Sequence, residues 1–97
     1  MRNGDVIKAF VDGKSACGSN LYSTGDKLIN YNTCIAQYIE DKNRYILNIT
    51  KYSSTTSKHQ NVLKRLLPIN TINVSEIPKN TLDLLTNKIY NGNTKMF

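Results

Sequence analysis

The sequence predicts an α+β fold: a small antiparallel β-sheet of three to four strands packed by two to three α-helices. Three observations carry this expectation. β-branched and aromatic runs fill residues 20–50 and are separated by short polar turn clusters. A run of hydroxyl residues is followed by Val62, Leu63, Leu66 and Leu67 at helical spacing and then by Pro68. The 97 residues leave room for one packed core, and a hydrophobic fraction of 39% against 21% charged residues is globular rather than disordered. The whole chain, 1–97, is therefore expected to be a single domain.

Element by element, the chain opens with a short helix. Asn3 is placed to cap it, Asp5 suits its positive end, and Val6, Ile7 and Phe10 form the apolar side, with Gly13 as the stop. Lys14–Asn20 is a small-residue loop that lacks the spacing of a phosphate-binding loop. Leu21–Ser23 and Leu28–Tyr31 flank a hairpin turn at Thr24-Gly-Asp. Thr33–Ile39 joins Arg44–Thr50 through the polar cluster Glu40–Asn43, and such short connections predict antiparallel neighbours. Alternation is imperfect in these last two runs. Apolar residues on both faces predict that helices cover one side of the sheet and something else partly covers the other. Residues 56–67 read as an amphipathic helix with Lys58, Asn61, Lys64 and Arg65 outward. Ile69–Val74 alternates like a short strand or an extended connection. Thr81 caps an expected helix over about 80–90 with Leu82, Leu85 and Ile89 on one face, and 91–97 is an expected frayed tail.

Composition removes several function classes. The longest apolar runs are three or four residues, where a membrane-spanning helix needs about 20. Met1–Asp5 lacks the apolar stretch of a secretory signal, so a cytoplasmic location is expected, and Cys17 and Cys34 are expected as free thiols there. Three Cys and His residues at positions 17, 34 and 59 cannot make a structural zinc site. No metal, no cofactor and no small-molecule substrate is expected. His59 with Cys34 is the one pairing from which nucleophilic catalysis could be built. A strand cysteine is more often a core residue, though, and the chain is read as non-enzymatic.

Charge is more informative. The net charge is +6, and Lys42, Arg44, Lys51, Lys58, Lys64 and Arg65 lie in a stretch to Ser75 without a single acid. This excess attracts polyanions or acidic protein surfaces, or simply keeps a surface solvated. The expected contact residues for a partner or nucleic acid are Arg44, Lys51, Tyr52, Thr55, Lys58, His59, Gln60, Lys64 and Arg65. The hydroxyls of Ser53–Ser57 and the helix start could meet phosphates, and Tyr38, Tyr45 and Tyr52 could stack bases if exposed. The same hydroxyls are what an ordinary helix cap needs.

Asn32-Thr-Cys-Ile-Ala36, then Leu47-Asn48, then Lys51-Tyr-Ser-Ser-Thr-Thr-Ser-Lys-His-Gln60 resembles a family of small uncharacterised bacteriophage and prophage proteins of low-GC Gram-positive bacteria. In that family a strand ending T-x-I-A leads to N-x-x-x-Y-S-x-T-T-S-x-H-Q. The resemblance covers about 20–65, implies a family-like core of about 20–67, and brings no established activity with it. A phage origin implies action inside the host bacterial cell, on its nucleic-acid machinery or its defences, anti-CRISPR proteins being one such class. The function expected is a binding protein that inhibits such a host effector through its basic surface. The rival is direct, weakly sequence-specific DNA or RNA binding through the phosphate backbone, and a dimeric virion or regulatory component is the lesser alternative. Oligomeric state is left open.

Overall fold

The computed structural model describes residues 2–85. Helix α1, Asn3–Val11, begins one residue earlier than Asn3 capping would require. Arg2 occupies the N-cap without a side-chain bond, and the Asn3 side chain turns inward toward Gly18, where a Cβ would lie 2.7 Å from its Oδ1. Val6, Ile7 and Phe10 are its buried side, at the expected spacing.

A six-stranded sheet follows, with strand order equal to chain order: β1 Ser15–Cys17, β2 Leu21–Thr24, β3 Lys27–Asn30, β4 Thr33–Ile39, β5 Arg44–Asn48 and β6 Ile72–Val74. The α+β class stands, but the sheet has six strands instead of three to four, and it is mixed. The first four pairings are antiparallel, while β5 and β6 run parallel. A parallel neighbour needs a crossover, and helix α2, Ser54–Leu66, supplies it. Between β4 and β5 the Glu40–Lys42 turn is a 3-10 helix closed by Asn43 at φ 51°. Gly25, in the β2–β3 turn, sits at φ 105°, a backbone conformation that side chains disfavour.

The register explains the imperfect alternation. Leu28 pairs with Ala36 and Ile29 with Cys34, so Ile35 is an extra residue on β4. This bulge turns Ile35 and Ala36 to the same face, and both pack with Val6, Ile7, Phe10, Leu21, Leu28, Leu47, Leu63 and Leu67 under the two helices. The opposite face buries Ile29, Cys34, Ile39, Ile46, Ile72 and Val74 against Ile77 and Leu84.

The cover on that second face is an extended strap over residues 75–85. Ile77 N–H donates to Thr50 Oγ1 (3.0 Å), Asn80 N–H to Thr33 Oγ1 (2.9 Å), and Leu84 N–H to Gln37 Oε1 (2.8 Å). The Cys34 N–H donates to Thr81 O at 2.7 Å. Lys27 pairs with Asp83 at 3.6 Å. The helix expected over about 80–90 is absent from 81–85, where Leu84 is buried and Leu82 and Leu85 are exposed, the inverse of the expected face. The remainder of that helix and the tail 91–97 lie outside the described residues. No helix among the described residues is long and apolar enough to cross a membrane.

Candidate functional site

The hydroxyl-rich segment before and within α2 is built inward. Ser53, in extended backbone, caps the helix by accepting from Thr56 N–H at 3.2 Å. The Thr56 hydroxyl donates to Asn30 Oδ1 (2.6 Å) across to β3. One turn on, the Gln60 amide donates to Asn48 O (2.6 Å) and Thr50 O (2.9 Å), the carbonyls at the end of β5. Asn48 itself donates to Cys34 O (3.1 Å) and to the Tyr52 hydroxyl (2.9 Å), and that hydroxyl donates to Ile77 O (2.5 Å). Thr56, Gln60 and Asn48 are buried. The lattice therefore fastens α2 to one sheet face and, through Tyr52, the strap to the other. A buried polar lattice with its bonds made specifies one arrangement of elements, because each partner lost leaves another unsatisfied.

The expected contact residues consequently separate. Tyr52 and Gln60 spend their polar groups inside. His59 is buried as well. Its Nε2 has no hydrogen-bond partner, and burial lowers its pKa below the ordinary histidine value. Neither His59 nor Gln60 presents a side chain to a large partner. Arg44 is half-buried at the start of β5, in step with Ile46 on the strap face and so away from α2. Thr55, Lys58, Lys64 and Arg65 remain exposed on α2, and Lys51 is exposed in the loop before it.

Spacing of three and four residues sets Lys58, Asn61 and Arg65 in one line, with Lys64 on its flank. From Lys58 to Arg65 this stripe runs about 10 Å along the axis. Among the described residues none of Lys51, Lys58, Lys64 and Arg65 has an ion-pair partner. At the C-terminal end the stripe meets exposed apolar surface. Leu66 is 43% exposed and Ile69, just past Pro68, is fully exposed. Lys64, Leu67, Pro68, Ile69 and Thr71 border a small cleft of about 170 Å³ here. Tyr38 and Tyr45 are not part of this surface. They pack on each other with ring centroids 5.0 Å apart, and Tyr45 meets Phe10 edge-on at 5.6 Å.

The Cys34–His59 pairing is not assembled. Cys34 is buried on the strap face, its thiol pushed up to about 12 by burial despite hydrogen bonding to Ala36 O, whereas α2 lies on the other face. A thiol so held is not a thiolate at neutral pH. No three His, Cys, Asp or Glu among the described residues are grouped so as to hold a metal ion.

A second concavity, about 310 Å³, lies at the N-terminal end of α2 between Asn30, Tyr31, Thr33, Tyr52, Ser53, Thr55, Thr56 and Lys79. Of these, Tyr52 and Thr55 were expected contact residues and the Ser53 and Thr56 hydroxyls expected phosphate partners, whereas Asn30, Tyr31, Thr33 and Lys79 were not singled out from sequence. Tyr31 was read as the end of a strand. It is in fact the first of two residues, Tyr31 (φ 49°) and Asn32 (φ 63°), that turn β3 into β4.

Neither the curated proteins nor the solved structures include a match to the chain. A family model does match, over residues 7–79, which run from within α1 to the first part of the strap and include every residue of the buried lattice. On that match the chain belongs to DUF8033, a family of unknown function.

Proposed function

We propose that this protein is a non-enzymatic binding domain that docks the outer face of α2 onto an acidic surface of a host nucleic-acid-handling or defence protein and inhibits it, in the manner of an anti-CRISPR. One observation carries the reading. The cations Lys58, Lys64 and Arg65, without ion-pair partners among the described residues, are contiguous with the exposed apolar side chains of Leu66 and Ile69. Protein interfaces combine apolar anchors with a charged rim, whereas a phosphate backbone asks only for the charge. The class of target comes from the phage resemblance of the Tyr52–Gln60 segment.

Direct nucleic-acid binding is the competing reading, and the same stripe feeds it. Of the tyrosines expected to stack bases, Tyr38 and Tyr45 are engaged with each other and with Phe10, and Tyr52 lines the cleft at the N-terminal end of α2, which leaves the outer face of α2 with charge alone for that reading. Salt separates the two. Titration of double- and single-stranded DNA and RNA at low ionic strength is expected to give no more than weak binding that vanishes with added salt. Tight binding with a steep salt slope would establish the rival. For the protein target, Lys64→Glu with Arg65→Glu, and separately Ile69→Ser, are expected to abolish inhibition of the effector while leaving the thermal midpoint almost unchanged. Inhibition that survives all three substitutions would place the interface elsewhere.

A further inference from the structure

We propose that the concavity at the N-terminal end of α2 binds one nucleoside 5′-phosphate unit, its base against Tyr31 and Tyr52 and its phosphate toward Lys79. The inference is independent of the docking surface at the other end of α2. At about 310 Å³ the cleft is at the small end of ligand sites, which start near ~300 Å³; it suits one nucleotide and not a folded segment of a partner.

The lining has the chemistry of such a ligand. Two phenol rings supply flat apolar walls, and one is fixed in advance: the Tyr52 hydroxyl is bonded to Asn48 and Ile77. Lys79 is the cation of the lining, and no carboxylate is among the lining residues, so the site favours a ligand that joins an aromatic plate to negative charge. Thr33 and Thr55 keep hydroxyl protons with no acceptor among the described residues, and they suit the polar edge of a base. A phosphotyrosine ring would leave them unused.

Tyr31 adds a separate argument. A bulky residue in left-handed backbone is strained where Asn or Gly would not be, yet the turn carries Tyr31 at φ 49° with the residue 53% exposed. Its backbone N–H bonds Asn20 O (3.1 Å) and its hydroxyl accepts from Asn20 Nδ2 (3.3 Å), which holds the ring at the cleft. Strain kept at a half-exposed residue outside the buried core is the pattern of a site residue.

The test is an amide-resolved NMR titration of the full chain with uridine 5′-monophosphate, uridine, inorganic phosphate, 5′-phosphorylated tetrathymidylate and a phosphotyrosine peptide. Uridine monophosphate is expected to shift residues 30–33, 52–56 and 79. Tyr31→Asn fits the same turn, so it should leave the melting temperature equal or higher while weakening the nucleotide by about tenfold or more. Lys79→Gln should bring uridine monophosphate down to the affinity of uridine. Tighter binding of the tetranucleotide identifies a strand end as the source of the ligand, and equal or weaker binding identifies a free nucleotide. The proposal is overturned by no shifts at about 10 mM nucleotide, by equal response to inorganic phosphate with indifference to Tyr31→Asn, or by preference for the phosphotyrosine peptide.

Discussion

Gln60→Ala tests whether the family-like segment is architecture. The Gln60 amide spans Asn48 O at 2.6 Å and Thr50 O at 2.9 Å, and the side chain is buried against the end of β5. Truncation removes both bonds and leaves two carbonyls that water reaches poorly. An unsatisfied buried group costs about 1–3 kcal/mol. Thr50 is half-buried and sits at the lower end of that range, so the expected total is about 3 kcal/mol. A domain of this size holds roughly 5–15 kcal/mol, and each kcal/mol moves its midpoint by about 4–8 °C. The expected fall in melting temperature is therefore roughly 12–24 °C, read by circular dichroism, with urea denaturation as a second measure. Gln60→Glu should be worse at neutral pH, since it turns a carboxylate toward two carbonyls, and should recover partly on acidification. A fall below about 4 °C for Gln60→Ala would refute the assignment of this segment to the fold.

Three further outcomes follow from the same geometry. Leu84→Ala, which empties the strap's fully buried anchor against Ile29 and Ile46, should cost about 2–5 kcal/mol in urea denaturation, while Leu82→Ala, on the exposed side, should cost within about 0.5 kcal/mol. His59 has its pKa lowered by burial, so the unfolded chain binds its proton first and stability falls as pH drops below about 6.5. His59→Gln should flatten the pH 7 to 5 part of the stability profile, and an unchanged slope would assign it to other groups. In alkylation with iodoacetamide, exposed Cys17 should react and Cys34, at about 12, should react only on unfolding; peptide mass spectrometry distinguishes the two, and labelling of Cys34 in the folded protein would contradict its placement.

The parts of the fold visible in the sequence are those with a long period. α2 was legible because four apolar residues repeat at helical spacing between a hydroxyl run and Pro68. β2 to β5 were legible because their linkers are short and polar. β1 was hidden, since a three-residue edge strand of Ser, Ala and Cys has no pattern to detect. β6 was read only as a strand or a connection, and its parallel pairing depends on α2 being a crossover, a tertiary fact. The strap was misread for a definite reason. Thr81, Leu82 and Leu85 imitate the start of a capped helix, but the backbone groups of 80–84 find partners in Thr33, Cys34 and Gln37 on the sheet, and tertiary bonding overrides local propensity.

The candidate site divides along similar lines. Lys58, Lys64 and Arg65 were found from charge and helical spacing together. His59 and Gln60 were named for the company they keep in the motif, and the direction of a side chain on a helix places them inside instead. Leu66 was missed because it fell in the apolar stripe of the helix, and Ile69 because it read as the start of a short strand or extended connection. Tyr31 was missed because Asn30-Tyr-Asn-Thr33 carries no glycine to mark a two-residue turn.

Quantitative affinity capture from an extract of a low-GC Gram-positive bacterium, the host class that the motif resemblance implies, with the native chain and the Lys64→Glu/Arg65→Glu variant side by side and with and without nuclease, tests the proposed docking most directly. The account predicts a specific protein partner that survives nuclease treatment and is lost from the variant, with both chains melting at the same temperature. A partner retained by the variant, or one released by nuclease, would contradict it.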